Sequence, residues 1–480
     1  MRKATALAIG LTLLTIGRAR ADDPRAVPLT RPEMKQFLED MKARKPRIPL
    51  PDLTDEEKAK LGDREANYEN RLRVLYLPEG WGFGGPGGGN RSTTAAGKSA
   101  APSGNLGRNL DANMSLDYAF KTELFWIVSR TNNCQYCLGH QETKLLAAGL
   151  NEDTIAALDG DWSEFTPAQR SAFAFARKLT YEPDRLTDAD INTLRKDYTD
   201  LQILEMILSV AGNNAINRWK EGAGIPQSKD GGNFNRRMNA GVAVAPTPLP
   251  ADAAHQTYLT PTAEKFRATI SRVAPVVNDP STGEPTRRTV FRRGPIESRD
   301  EVEKALEAAR KRTPRLPLLD EAHARAVVSE ILPEGPLPQW VRLVTSFPKE
   351  GLNRVTTIKS AEEKGDIKPL LKAQVSWIIA RQDRAWYALG LAKRRLKELG
   401  QTEDQIARLD GDWSSFEPGD RAMFTLARKL AASPVVLTDA DVTEAVQQTS
   451  PRDVTQMISY VTTRASFDRI TEAAGLALED

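Results

Sequence analysis

Leu158-Asp-Gly-Asp-Trp-Ser163 recurs 251 residues later as Leu409-Asp-Gly-Asp-Trp-Ser414, so the chain must adopt a fold that can be built twice within 480 residues. Between 158–179 and 409–430, 14 of 22 positions are identical, a run that chance does not produce. Among them are Trp162/Trp413, Pro167/Pro418, Arg170/Arg421 and Arg177-Lys178/Arg428-Lys429. The same shift carries Leu186-Thr-Asp-Ala-Asp190 onto Leu437-Thr-Asp-Ala-Asp441 and Gly224 onto Gly475. Upstream, Pro46, Arg47, Pro49 and Leu50 match Pro314, Arg315, Pro317 and Leu318 at a shift of 268, which makes the first copy longer by 17 residues. Those residues are assigned to 82–104, a Gly/Ser/Thr/Ala stretch of flexible-loop composition. Its Gly97-Lys98-Ser99 resembles the end of a phosphate loop, but Ser92 stands where that motif needs Gly and no strand leads into it, so no nucleotide role is expected.

Within each copy the apolar spacing is helical. Phe120, Leu124, Ile127 and Val128 share a face of a helix predicted over 118–130, and Thr166-Pro167 supplies a cap and first-turn proline for one over 170–179. The segments 201–211 and 216–223 continue the series, and no alternating strand or hairpin turn interrupts it. The predicted fold class is all-α: two tandem helical bundles of about six helices each. Between them, Gly231-Gly232 and prolines 246, 248, 250, 275, 280 and 285 mark an extended linker, with one short helix expected over 263–273.

Residues 1–21 read as an export signal. Arg2 and Lys3 precede an apolar run over 4–17, and Ala19-Arg20-Ala21 is a small-x-small cleavage site. That run of fourteen residues falls short of the ~20 that span a bilayer. Cleavage after Ala21 and a secreted or periplasmic location are therefore expected. The expected layout is a signal over 1–21, a first domain over 22–226, a linker over 227–298 and a second domain over 299–480.

Composition narrows the partners. Hydrophobic residues at 40% and charged residues at 27% suit globular domains and exclude a collagen-like, disulfide-scaffold or multispanning chain. Loss of Arg2, Lys3, Arg18 and Arg20 with the signal takes the formal charge from +3 to −1, leaving no electrostatic case for nucleic acid or an anionic membrane surface. No later run is apolar enough to span a membrane, and Arg287-Arg288 and Arg292-Arg293 read as solvated linker charges.

Thiol chemistry, if present, is confined to Cys134-Gln-Tyr-Cys137-Leu-Gly-His140, which holds both cysteines and one of three histidines. Asn132-Asn133 offers a helix cap ahead of a helix running toward Ala148 and ending at Gly149. The i, i+3 spacing then puts Cys134, Cys137 and His140 on one face, where the helix N-terminus favours a thiolate and the imidazole can take its proton. Glu123, on the preceding apolar helix, needs a partner if buried, and His140 is the candidate. His255 and His323 have no reactive neighbour in sequence and are expected at the surface.

On these residues the chain resembles the alkyl hydroperoxidase D (AhpD)-like branch of the carboxymuconolactone decarboxylase superfamily. The shared pattern is an acid on one helix, Glu123, then a CxxC at the start of the next, then a histidine; Asn214-Ala-Ile-Asn217-Arg218 and Gly224-Ile-Pro226 resemble its closing helix. The likeness covers roughly 110–226 and, as a divergent copy, roughly 361–476. It implies two AhpD-like helical bundles, frequent oligomers, and peroxide reduction by cysteine with no bound cofactor. By that comparison Cys137 attacks a small hydroperoxide, Cys134 resolves, His140 is the base, Glu123 orients it, and an external dithiol reduces the product.

The second copy is an internal control. At the shift of 251, Glu123, Cys134, Cys137 and His140 become Gln374, Ala385, Ala388 and Leu391 while the Trp-Pro-Arg framework persists, so copy two reads as a non-catalytic partner covering copy one. Retention of Trp162/Trp413 and Asp161/Asp412 in both copies marks them as packing and loop residues, whereas Asn217 and Arg218 are expected to order the active-site helix. An inert disulfide stays open as an alternative, although a loop this short restricts the unfolded chain little. A zinc site on the two cysteines and His140, a non-enzymatic interaction protein and a decarboxylase remain further alternatives.

Overall fold

The computed structural model describes residues 27–62, 66–78, 81, 111–227, 270–275 and 293–479. The signal over 1–21, the Gly-rich loop, most of the linker and His255 lie outside the described residues. Within them every regular element is helical, as the periodicity predicts.

Copy one comprises α1 (Arg31–Asp40), α2 (Asp55–Leu61), α3 (Tyr68–Tyr76), α4 (Tyr118–Asn132), α5 (Gln135–Ala147), α6 (Glu152–Ala157), α7 (Pro167–Tyr181), α8 (Asp188–Leu194) and α9 (Asp200–Ala223). Copy two comprises α10 (Arg299–Arg310), α11 (Glu321–Val328), α12 (Gln339–Val344), α13 (Pro348–Glu363), α14 (Pro369–Asp383), α15 (Trp386–Glu398), α16 (Glu403–Ala407), α17 (Pro418–Ala431), α18 (Asp439–Gln448) and α19 (Pro451–Ala473). The six helices α4 to α9 each begin 251 residues before their counterparts α14 to α19. Of these, α4, α5, α7 and α9 fall on segments read as helical; 201–211 and 216–223 form one continuous helix, α9, and the short α6 and α8 were not read individually. The sequence reading did not pick out the additional helices at the start of each copy, whose composition is mostly polar; α1, for instance, buries Met34 and Leu38 together with Arg31 and Lys35, which pair with Glu142 and Glu152.

Local sequence explains the helix starts. Thr166, Thr187 and Thr199 each cap a helix whose third residue, Gln169, Asp190 or Gln202, reaches back to the capping residue. Trp162 and Trp413 share a left-handed φ of +61° in the loop before α7 and α17. Each donates its indole N–H to the carbonyl four residues back, Leu158 or Leu409, and sets its ring edge-on to Phe173 or Phe424. Asp161 and Asp412 accept from the following Ser163 and Ser414, so the repeated motif is a folded turn with an aromatic anchor, as read.

The longest helices, α9 and α19, pack against each other at the centre of the molecule and are buried nearly all round. A Cβ on Gly222 would lie 2.7 Å from Ile458 Cγ2, so only glycine permits this approach. The contacts across the junction are reciprocal. Arg47 of copy one donates to Glu221 O, Asp439 Oδ1 and Leu437 O, while Arg315 of copy two donates to Glu472 O, Asp188 Oδ1 and Leu186 O. Arg218 reaches Ala431 O at 2.7 Å and Arg469 reaches Thr180 O at 3.0 Å. Every one of these pairs maps onto its partner by the repeat shift, which is the signature of a two-fold, self-complementary interface, here built inside one chain.

One expected element differs. The described end of the helix read over 263–273 is bent rather than helical: Ser271 N donates to Leu29 O at 2.8 Å and Arg272 N to Asp159 O at 2.9 Å, so the backbone is spent on copy one instead of on itself.

Candidate functional site

The turn before the cysteines is made differently from the sequence reading. Asn133, with φ +55°, ends α4 in the left-handed conformation that asparagine tolerates, and Cys134 itself occupies the cap position of α5. Asn132 turns inward rather than capping. Its Nδ2 donates to Asn214 Oδ1 at 2.9 Å and Asn217 Oδ1 at 3.0 Å, Asn217 donates on to Ser129 Oγ, and Ser433 of copy two donates to Asn132 Oδ1 at 2.9 Å. These side chains are buried and mutually satisfied, so α9 and copy two together hold the segment that leads into Cys134. Asn217 thus holds the turn that leads into Cys134, and Arg218 supports it through Asn214 Oδ1 at 2.9 Å and Ser433 Oγ at 2.8 Å.

Cys134 and Cys137 are free thiols whose sulfurs lie 2.6 Å apart, with Cys134 donating. They are 0% and 2% exposed. Burial, then the neighbouring Cys137, then the charge of Glu221 push the Cys134 thiol up, so Cys134 keeps its proton. Cys137, in the first turn of α5, is the acceptor of that contact, and its backbone N–H is directed back at the Cys134 sulfur.

His140 follows one turn later. Its ring stacks on Tyr136 with centroids 5.0 Å apart, and Lys220 Nζ stands 4.3 Å from the centre of the Tyr136 ring on its way to an ion pair with Glu69. Glu69 also accepts from Trp219 Nε1 at 2.8 Å and from Arg73 Nη2 at 3.1 Å, and this company of donors holds its carboxyl well below the usual range despite burial. Burial, followed by the cations Lys144 and Lys220, pushes His140 down to about 3. The imidazole is therefore neutral at physiological pH, and its surroundings resist protonation of the ring.

The structure puts the Cys134 and Cys137 sulfurs in contact at the start of α5 and His140 one turn further along the same helix. It places Glu123 elsewhere: its carboxylate accepts from Gln169 Nε2 on α7 at 3.2 Å, and the charged and ionisable groups near it are Asp117 and Tyr198. The groups around His140 are Tyr136, Lys144, Lys220, Glu69 and Gln227. The two sets share no member, so the pairing of Glu123 with His140 expected from sequence is not the one the carboxylate makes here. Burial raises Glu123 to about 7. The acid nearest the imidazole in charge is Glu69, from α3, 65 residues before Cys134 and marked by no motif. Lys220 and Gln227 were likewise missed. Their counterparts Thr471 and Leu478 in copy two, changed along with the cysteines, were the available signal.

Among the described residues, no group of three or more His, Cys, Asp or Glu side chains is placed to hold a metal ion, and no helix is long and apolar enough to cross a membrane. His323 lies at the surface, paired with Asp320.

No family model matches the chain, and no curated protein matches it. Among solved structures it is similar to the debrominase Bmp8. A cysteine-to-alanine variant of Bmp8 in complex with 2,3,4-tribromopyrrole aligns at 14% identity over 40% of this chain and 92% of that one, with a TM-score of 0.29. The apo enzyme aligns at 14% identity over 38% and 90%, with a TM-score of 0.28. Likenesses of this size do not establish a shared fold or activity.

Proposed function

We propose that the protein is an exported thiol-dependent peroxidase or disulfide oxidoreductase working through Cys134 and Cys137. The observation that carries this reading is the pair of adjacent sulfurs at the start of α5, one turn from a neutral imidazole. Cys137 releases its proton to solvent, one turn from the neutral His140 ring, and as a thiolate attacks the terminal oxygen of a small hydroperoxide ROOH. The O–O bond breaks, ROH leaves after taking up a proton, and Cys137 becomes a sulfenic acid. The Cys134 sulfur then displaces that hydroxyl as water and forms the Cys134–Cys137 disulfide. An external dithiol, itself oxidised to a disulfide, restores both thiols by exchange. The geometry suits the second step, since the resolving sulfur is already in contact and needs little backbone movement.

Near-complete burial of both sulfurs also favours a second reading, an inert bridge that locks the start of α5. One experiment separates them: titration of free thiols in reduced protein before and after one equivalent of tert-butyl hydroperoxide. Rapid loss of two thiols that requires Cys137, with Cys134→Ser accumulating a sulfenic acid trapped by dimedone, supports the peroxidase. Thiols indifferent to peroxide, and an oxidised form that dithiothreitol barely reduces, support the inert bridge.

A further inference from the structure

The segment 271–275 docks on copy one as a short turn. Ser271 Oγ accepts from Val273 N at 3.3 Å and from Ala274 N at 3.2 Å, which folds the piece on itself. Its remaining backbone groups serve copy one: Ser271 N donates to Leu29 O at 2.8 Å, Arg272 N to Asp159 O at 2.9 Å, and Val273 O accepts from Arg177 Nε at 3.3 Å. Ser271, Val273, Ala274 and Pro275 are buried there, whereas Arg272 is exposed. Ala274 joins Val27 and Leu29 in a small apolar cluster. Backbone hydrogen bonds thus hold the segment, and small apolar side chains select it.

Copy two carries the same groove. Asp159 Oδ1 accepts from Trp126 Nε1 at 3.1 Å and Arg130 Nε at 2.9 Å; its counterpart Asp410 accepts at Oδ1 from Trp377 Nε1 at 2.8 Å and Arg381 Nε at 3.2 Å. Arg428 is Arg177 shifted by 251. In copy two Arg381, Asp410 and Arg428, with Ile296, Leu409 and Trp413, line a cavity of about 210 Å³. The exposures differ accordingly. The Asp159 side chain is 7% exposed and that of Asp410 23%, and Arg177 is half-buried where Arg428 is exposed. Pro28 is buried, but Ile296, which matches it at the shift of 268, is 38% exposed. A large apolar side chain left at a cavity beside exposed polar groups is the mark of a contact surface. One wall is changed: Val27 and Leu29 become Pro295 and Glu297, and Glu297 is tied by Arg293, Arg381 and Arg384, so Ile296 is the apolar group this wall offers.

We propose that the groove of copy two docks a segment of a partner protein with the chemistry of residues 271–275: a short turn of small apolar residues ending in proline, with a basic residue on its solvent side. A backbone N–H of the partner donates to Asp410 O, Arg428 donates to one of its carbonyls, and its apolar side chains pack on Ile296 and Trp413. The resident segment supplies this chemistry because the two grooves are built from matched residues, and in each molecule that segment is already spent on copy one. Arg272 enters copy one at the loop that carries Asp161, and Asp412 holds that place in copy two, where it suits a basic residue. The surface lies on the copy without cysteines and gives that copy a task besides covering its neighbour.

The test uses the full-length protein and, as probe, an acetylated and amidated peptide of residues 268–277, Ala-Thr-Ile-Ser-Arg-Val-Ala-Pro-Val-Val. Saturable binding is expected, with hydrogen exchange slowed over 407–413 and unchanged over 156–162. Arg428→Glu and Ile296→Asp, both surface changes whose folding circular dichroism checks, should each weaken binding roughly tenfold, the effect of losing one central contact in a small interface. No saturable binding overturns the proposal, as does binding that both variants retain. Slowed exchange over 156–162 instead would show the peptide displacing the resident segment from copy one, and also overturns it. So does protection of 407–413 that is already present without peptide: at every protein concentration it assigns the groove to the chain's own linker, and if it grows with concentration, to a second copy of the chain.

Discussion

Gly224 lies directly beneath Arg47: with φ at +65°, a Cβ added there would stand 2.5 Å from Arg47 Cγ. Backbone and side chain thus both demand glycine, and the Arg47 contacts to Asp439 and Leu437 tie the turn to the second copy. Gly224→Ala is expected to cost about 2 kcal/mol or more. At Gly475 the nearest atom, Arg315 Cγ, is 3.0 Å away, so Gly475→Ala should cost less. Urea denaturation of both variants gives the order.

Arg218 is fully buried and serves Asn214 O and Oδ1 in its own helix together with Ala431 O, Ala432 O and Ser433 Oγ across the junction. Arg218→Leu strands these acceptors away from water. A loss of about 3 kcal/mol is expected, since each buried acceptor left unpaired costs about 1–3 kcal/mol. Thermal unfolding measures it. A fall in stability below about 0.5 kcal/mol would mean that water reaches the junction.

Glu123 titrates at about 7 in the folded chain because it is buried, against roughly 4.3 when unfolded. Between those values the folded state holds a proton that the unfolded state has released, so stability is lost as pH rises through this window. Glu123→Gln should remove that dependence and raise stability at pH 8 by up to about 3 kcal/mol. Since Glu123 faces Gln169 rather than His140, the same variant should leave the alkylation rate of Cys137 unchanged.

His140 has the opposite sign. Its folded midpoint, near 3, lies below the roughly 6.5 of an unfolded histidine, so the unfolded chain takes up a proton that the folded one refuses. Stability contributed by the neutral ring is present above about pH 6.5 and is lost as pH falls toward 3. In His140→Gln the acid limb of the stability curve should flatten. The thiol reaction of the wild type should show no inflection between pH 5 and 7 from imidazole protonation, which stopped-flow measurement across that range would reveal.

Helices α4, α5, α7 and α9 were legible because their apolar positions and caps recur at helical spacing. The position of the cysteines at a helix start was legible too, from residue type and spacing. The cap itself was not, because Asn133 and Cys134 compete for one turn, and the left-handed φ of Asn133 shifts the helix start by a residue. Glu69, Lys220 and Ser433 were hidden for a different reason. They reach the site from α3, α9 and the loop after α17, and nothing in local spacing encodes which distant segment folds over a short motif. The partner of Glu123 was misread because sequence says only that a buried acid needs company, and Gln169, the capping-box residue of α7, supplies it.

The reciprocal junction around Arg47 and Arg315 bears on how such a molecule can change over time. In a pair of identical subunits every mutation strikes both sites at once, so a site cannot decay in one without decaying in the other. Here the two halves are encoded separately, so one can carry Ala385, Ala388 and Leu391 where the other has Cys134, Cys137 and His140 while both keep the arginines of the junction. A symmetric seam can thus join two halves of unlike composition.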